Sequence, residues 1–204
     1  MTVPVLEFWF EFASTYSHIA AQRIEAAAHA TGVSVAWRPF LLGPIFRRQG
    51  WNDSPFNIYP AKGAYMWKDM ERQCAKHLVP FRKPSGFPRP SLLATRIALT
   101  VESSPQRVAQ FVRRVYLANF HEDLDTTNDD VVRGLLQSMA WPDADAVLAQ
   151  ATSADTKERL RRRGDEAFER GIFGAPTFLL GSELYWGNDR LEDALASCVG
   201  SRSS

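Results

Sequence analysis

The chain is short of cysteine, of net charge and of long apolar runs, and each shortage removes a class of protein. Cys74 and Cys198 are the only cysteines among 204 residues. They lie far apart and form no metal-ligand spacing, so free thiols in a reducing cytoplasm are expected. The 24 basic and 23 acidic residues leave a formal net charge of +1. That balance gives no general reason to expect nucleic acid or an anionic membrane as partner. No apolar run approaches the ~20 residues of a membrane span. Met1 to Val5 lack a basic n-region and lead directly into a strand pattern, so no signal peptide is expected. No His/Asp arrangement argues for a hydrolase triad, and neither an internal repeat nor a low-complexity segment is found.

What the chain does have is aromatic and aliphatic bulk. Aromatics make up 12%, including six Trp and 13 Phe, and hydrophobic residues 45%. This supplies a sizeable core and leaves only the Ser-Arg-Ser-Ser tail as a candidate for disorder. The length favours one domain with an elaboration, or two intimate domains.

The densest stretch is Leu6 to His18, Leu-Glu-Phe-Trp-Phe-Glu-Phe-Ala-Ser-Thr-Tyr-Ser-His. Residues Val3 to Phe10 read as a strand, apolar at nearly every position except Glu7 and so covered on both faces. The run breaks at Ala13, Ser14 and Thr15. A helix follows, with Tyr16, Ala20, Ile24 and Ala27 on one apolar face, and Gly32 stops it. Val33, Val35 and Trp37 alternate with polar or small residues as a second strand, which Pro39 ends. Such a unit is parallel with a right-handed crossover. A strand that hands over to a helix at a hydroxyl leaves free backbone N–H groups and the positive end of the helix dipole beside it. Ser14 therefore stands at a place suited to an anion, although a plain N-cap role explains it equally well.

Residues 40 to 60 read as irregular, punctuated by Gly43-Pro44, Gly50, Pro55 and Pro60. Ala61 to Leu78 is helical and Val79 to Pro90 a Pro-rich connection. Helical patterns then run over Leu92–Val101, Pro105–Asn119, Asp129–Ala140, Pro142–Gln150 and Ala154–Arg170. Asn128 and Ser153 suit N-caps, and Pro105 and Pro142 suit first-turn positions. The Arg161-Arg162-Arg163 run reads as a solvated helix face. Thr177 to Leu180 and Glu183 to Trp186 read as a hairpin about Gly181-Ser182. A final helix opens with Asp189 and Glu192 spaced as a capping box.

The layout is strand-helix-strand, a long helical segment, then a hairpin and a helix. Neither end covers a sheet edge alone, so both share one sheet. That describes an α/β, thioredoxin-like fold. Residues 1–43 and 171–204 form the thioredoxin-like domain, and residues 44–170 form an all-helical domain inserted into it.

Four patches resemble the 2-hydroxychromene-2-carboxylate isomerase family, relatives of the kappa-class glutathione transferases within the DsbA-like thioredoxin fold. They are residues 10–17, Phe-Glu-Phe-Ala-Ser-Thr-Tyr-Ser; residues 38–43, Arg-Pro-Phe-Leu-Leu-Gly; residues 60–66, Pro-Ala-Lys-Gly-Ala-Tyr-Met; and residues 171–178, continued by residues 186–191. Thr15 departs from the family's usual Pro. His18 departs from its usual aromatic and is expected to alter one wall of the substrate site.

The resemblance implies glutathione as cofactor, with Ser14 hydrogen-bonding its sulfur and holding it as thiolate. Four residues, Ser14-Thr15-Tyr16-Ser17, occupy the place of Cys-x-x-Cys, so no disulfide chemistry is available at that turn. The resemblance further implies a cis bond before Pro176 and strand-like pairing of the cysteinyl part with Ala175. Asn188 and Asp189 are implied at the γ-glutamyl end, and Lys62 on the glycyl carboxylate. Tyr16 and Asn52 complete the set, with Asn57 as the alternative to Asn52. Taken alone, Asp189 reads equally as a cap and Lys62 as a solvated lysine. Phe46, Trp51 and Tyr65 suit an apolar wall for an aromatic substrate, or ordinary core and rim. The activity implied is a glutathione-dependent isomerisation of a small aromatic-derived acid by a homodimer. A kappa-type transferase and a redox-silent thioredoxin-like binding module are the alternatives.

Overall fold

The computed structural model describes residues 3–200. Among them, β1 (Val5–Phe10), β2 (Ser34–Pro39), β3 (Thr177–Leu180) and β4 (Glu183–Trp186) form one sheet in the order β2-β1-β3-β4. β1 pairs parallel with β2 and antiparallel with β3, so the two ends of the chain do meet in one sheet. The register sets Phe8 opposite Trp37 on one side and opposite Phe178 on the other. Those rings pack edge-on at 5.1 Å and stacked at 5.5 Å. The apolar run of β1 is thus explained by its central place, because both of its faces are covered.

α1 (Thr15–Thr31) returns the chain from β1 to β2 and ends on Gly32 in the left-handed conformation (φ 66°), which Gly adopts without steric cost. α6 (Pro105–Phe120) packs beside α1, and α5 (Leu92–Thr100) packs on α6 and β2. Ala94, Ile97, Val112, Val115 and Tyr116 belong to the same buried cluster as Phe8, Phe10 and Trp37. The inserted segment therefore shares the core of the sheet. α7 (Asp129–Ser138), α8 (Ala144–Thr152) and α9 (Ala154–Glu169) complete its outer layer, and α10 (Leu191–Gly200) packs on the sheet and α1. Among the described residues no helix is long and apolar enough to cross a membrane.

Five sequence readings need correction, the last of them at His18. Residues 40–60 hold two short helices, α2 (Leu42–Arg48) and α3 (Pro55–Ile58). Pro44 is harmless there, because first-turn N–H groups have no intrahelical acceptor to lose. Ile45 drives the turn by burying against Trp9 and Phe40. Pro142 lies outside its helix, which begins at Ala144 after an Asp143 held by Arg107 at 2.7 Å. The capping box is not formed. A 3-10 turn over Asn188–Arg190 precedes α10, Glu192 pairs with Arg23, and Asp189 is exposed beside Arg190. Arg163 is not solvated, since it lies over the Trp9 ring and binds Glu102 at 3.0 Å.

His18 is fully buried. Its Nε2 lies 3.0 Å from Pro80 O and its ring stacks on Phe120 at 5.3 Å. A nitrogen bonded to a carbonyl must carry the ring proton. Burial pushes the imidazole down to about 4, so it is neutral and faces the helical packing. It forms no part of a substrate wall, contrary to the expectation from sequence.

Tyr116 fastens α6 to the end of β1 by donating its hydroxyl to Glu11 O at 2.8 Å, with both groups buried. Tyr116→Phe is expected to cost ~1–2 kcal/mol in urea unfolding. Tyr185→Phe, whose hydroxyl bonds Ser197 in a half-buried place, is expected to cost less.

Candidate active site

The turn between β1 and α1 is held by its own backbone and by one carboxyl. Ser14 N donates to Glu11 O at 3.0 Å, and Ala13 N donates to Glu11 Oε2 at 2.9 Å. Ser14 has extended backbone (φ −74°, ψ 116°), as an N-cap requires. Its Oγ accepts from Ser17 N at 3.2 Å and donates to Ala175 O at 2.8 Å. Both readings of Ser14 are thus compatible in one rotamer: it caps the helix and faces the opposite wall. The N–H groups of Thr15 and Tyr16 find no acceptor among the described residues. They are the unsatisfied donors that a helix start always leaves.

The opposite wall comes from the far end of the chain. The Ala175-Pro176 bond is cis, and Gly187 N donates to Pro176 O at 3.0 Å. A second cis bond, Phe87-Pro88, which the sequence reading passed over, lies on the cavity wall. Gly174 is required by close approach: a Cβ there would lie 2.4 Å from Trp186 Nε1. Trp186 in turn packs on Phe173 at 5.0 Å, and the pair roofs the site.

These walls enclose a cavity of about 1260 Å³ in which Ser14, Tyr16, Asn52, Lys62 and Ala175 meet. Phe46, Trp51 and Tyr65 also line it, joined by Phe56 and Phe87, so its surface is largely apolar and rich in aromatic rings. Asn57 is elsewhere, with its amide on both carboxylate oxygens of Asp53 at 3.2 and 3.1 Å. Lys62 opens α4 (Pro60–His77); its ammonium stands 5.6 Å over the Phe56 ring and has no carboxylate partner among the described residues. Tyr16 donates to Asp69 at 2.9 Å, and burial together with that carboxylate raises its phenol pKa. It therefore stays a neutral donor.

Pro176, Asn188 and Asp189 do not line the cavity. Asn188 is buried, and its Oδ1 accepts from Arg23 at 3.0 Å. Asp189 is exposed at the rim, near enough to Tyr16 to raise the phenol further.

Two cavity residues carry chemistry that the sequence did not single out. Arg47 lines the cavity without a carboxylate partner. Glu11 also lines it, 3% exposed and with no cation beside it. Burial pushes its carboxyl from 4.5 to about 8, against the opposing N–H groups of Ala13 and Ser14. In the sequence it shows only as an acid interrupting an aromatic run, inside the residue 10–17 patch that carries the resemblance and with no role attached to it.

Cys74 and Cys198 are buried off the cavity, and burial pushes the Cys74 thiol up to about 12. Among the described residues no group of three His, Cys, Asp or Glu is placed to hold a metal. A smaller depression of 310 Å³ lies over Leu99, Arg159, Arg162, Arg163 and Glu166, and two of its three arginines, Arg159 and Arg163, are already paired with Glu102.

A parallel-antiparallel sheet with an N-terminal βαβ unit, helices inserted before a closing hairpin, and a cis-proline wall facing the first helix defines the thioredoxin class. Residues 5–197 match the DSBA-like thioredoxin domain, and the chain belongs to that family. Among its relatives, the 2-hydroxychromene-2-carboxylate isomerase of Sphingobium xenophagum is 30% identical over 189 residues, covering 92% of this chain and 94% of that one. Glutathione S-transferase kappa 1 of Rattus norvegicus is 24% identical over 210 residues, covering 97% and 92%. A solved 2-hydroxychromene-2-carboxylate isomerase superposes with a TM-score of 0.83 at 26% identity, covering 98% of this chain and 96% of that one.

The raised Glu11 carboxyl has a stability consequence of definite sign. The folded state binds this proton more tightly than the unfolded chain does. Its contribution is retained in full below pH 4.5 and lost as the pH rises to about 8. Glu11→Gln is therefore expected to raise the unfolding free energy at pH 7 by roughly 2–3 kcal/mol. It should give no gain at pH 4. Urea unfolding at the two pH values measures the difference.

Proposed function

We propose that the chain is a glutathione-dependent isomerase of 2-hydroxychromene-2-carboxylate or a similar small aromatic-derived acid. The observation that carries this reading is the Ser14 hydroxyl and two unsatisfied helix N–H groups at the base of an aromatic cavity. The relatives named as isomerases, alike over nearly the whole chain, support it.

The residues present fit glutathione. Lys62 supplies an unpaired cation for the glycyl carboxylate, and Ala175 offers backbone to the cysteinyl unit in the manner of strand addition. Asp189 at the rim suits the ammonium of the γ-glutamyl end, and Asn52 supplies an uncommitted amide. Asn188 serves by fixing the turn before α10, its side-chain oxygen accepting from Arg23 rather than facing glutathione. Tyr16, held by Asp69, shapes the wall beside Ser14. When bound, glutathione supplies a nucleophilic thiolate.

The protein's task is to stabilise that anion. A free thiol has a pKa of about 8.5, and lowering it by about two units needs ~2.7 kcal/mol. A charge-assisted hydrogen bond of ~1.5–3 kcal/mol and a helix terminus worth ~0.3–1 kcal/mol are enough. Ser14 has one hydroxyl proton, and it rests on Ala175 O. To serve a sulfur anion it must rotate away from that carbonyl while keeping its acceptor role toward Ser17 N. The aromatic walls exclude water and suit a planar substrate, and Arg47 offers a cation for the substrate carboxylate. Homodimerisation and a cytoplasmic setting belong to the same reading.

A kappa-type transferase would need the same activated thiol, and the Rattus norvegicus relative favours keeping it as the second reading. Whether glutathione is consumed in turnover separates the two. Calorimetric titration is expected to show saturable glutathione binding. Ser14→Ala is expected to keep that binding while losing roughly 10–100-fold in turnover, the range of one charge-assisted hydrogen bond. Absence of heat at millimolar glutathione would sink the proposal, and full turnover by Ser14→Ala would remove the role of the serine.

A further inference from the structure

Glu11 is a buried acid in the wall of the cavity, three positions before Ser14, and the chemistry just described leaves it unused. Its placement is specific. Oε2 is pinned by Ala13 N at 2.9 Å, its carbonyl oxygen receives both Ser14 N at 3.0 Å and Tyr116 Oη at 2.8 Å, and the residue is 3% exposed. The side chain has no cation and no side-chain hydrogen-bond partner among the described residues. A carboxylate would be costly here, because an unpaired buried charge is among the most expensive groups to hold. It would also stand within three residues of any anion held at Ser14 by the free N–H groups of Thr15 and Tyr16. Two negative charges within one turn repel, so the favourable state holds only one of them at a time.

We infer that Glu11 is the proton-transfer group of this site, a neutral acid at rest that lends its proton to the substrate during isomerisation and takes it back. The inference rests on the thiol-dependent reading above. As a thiolate forms its bond to the conjugated carbon, the carbon–carbon π pair shifts and the carbonyl π pair moves onto oxygen. The O–H bond of Glu11 breaks and its proton goes to that oxygen, leaving the carboxylate with the bonding pair. The sulfur has by then given up its negative charge to the new bond, so the site again holds a single anion. The former carbon–carbon double bond is single in this adduct and can rotate. On the return the oxygen gives its proton back to the Glu11 carboxylate, the C–S bond breaks and the thiolate leaves with its pair, so that the product differs from the substrate in geometry alone. Nothing is oxidised or reduced.

The surroundings suit this use. Desolvation already pushes the Glu11 carboxyl to about 8, close to the working range that general acids need. Tyr116 from α6 is the titratable group packed against it, and burial keeps that phenol neutral. From α1, Tyr16 is held neutral by burial and Asp69, and His18 is neutral by burial. The charged residues of the cavity, Arg47 from α2, Asp53 from the loop before α3 and Lys62 from α4, make no ion pair with Glu11. Solution pH therefore sets its protonation, with no neighbouring salt bridge to fix it.

The test combines a spectroscopic and a kinetic measurement on the full chain. Difference infrared spectroscopy of the wild type is expected to show a protonated carboxyl band that titrates near pH 8 and is missing from Glu11→Gln. With glutathione and 2-hydroxychromene-2-carboxylate, wild-type kcat/KM is expected to fall as the pH rises through about 8. Glu11→Gln should lose that limb and roughly 10²-fold in kcat, with glutathione affinity by calorimetry unchanged within about twofold. Glu11→Asp should restore part of kcat together with the alkaline limb. Wild-type kcat and an intact limb in Glu11→Gln, or no titrating band in the wild type, would overturn the role of Glu11 alone. If Glu11→Gln does not fold, Glu11→Asp decides on its own: an unaltered limb and kcat overturn the inference. Absence of glutathione binding or of turnover in the wild type would instead overturn the underlying reading, and this inference with it.

Discussion

The hydrogen bond from Ser14 Oγ to Ala175 O joins residues 161 positions apart, and the site exists only because it can form. It needs β1 and β3 side by side, which the Phe8–Phe178 register provides. It needs the chain to turn at Ser14, which Glu11 secures through Ala13 N. It also needs Ala175 aimed at that turn, which the cis bond and the Gly187–Pro176 contact arrange. The long helical insertion between the two walls serves the same geometry. It covers the sheet with α5 and α6 and sends Tyr116 to hold the end of β1. Its first part, from α2 to α4, brings Phe46, Trp51 and Lys62 to the open side of the cavity.

The electrostatics of the turn follow from that geometry. A helix start with two unsatisfied N–H groups favours an anion, yet the nearest carboxyl, Glu11, is buried without a cation and resists ionisation. The protein thus forgoes stability at neutral pH to keep an acid where a carboxamide would be easier to hold. Natural proteins commonly carry such a cost at working sites rather than in structural positions. The buried, neutral His18 opposes it in sign, since its contribution is retained above pH 6.5 and lost as the pH falls toward about 4. Together the two groups favour a folded state that is most stable in the weakly acidic range.

Much of the fold was legible because it rests on local signals. The aromatic run of β1, Gly32 at the helix end and the Gly181-Ser182 hairpin each specify their element with little outside help. The resemblance of four short patches then supplied the facing cis proline, while the order of the strands came only with the structure. The site was legible where residue type and motif agreed, as for Ser14, Lys62 and Ala175, which meet in one cavity. It was not legible where tertiary contacts decide. Asn188 lost its place to Arg23, the Asp189 capping box gave way when Glu192 found Arg23, and His18 turned inward onto Phe120. The role of Glu11 was not legible for a related reason: an acid just past the end of a strand looks like a surface residue until burial and the absence of any cation are known.

The central claim is that the Ser14–Ala175 pair opens to receive a sulfur anion. A crystal structure of the glutathione complex tests it most directly. The account predicts the cysteinyl sulfur within hydrogen-bond reach of Ser14 Oγ, the hydroxyl turned from Ala175 O, and the glycyl carboxylate on Lys62. A sulfur lodged elsewhere in the cavity, with Ser14 Oγ still on Ala175 O, would contradict it.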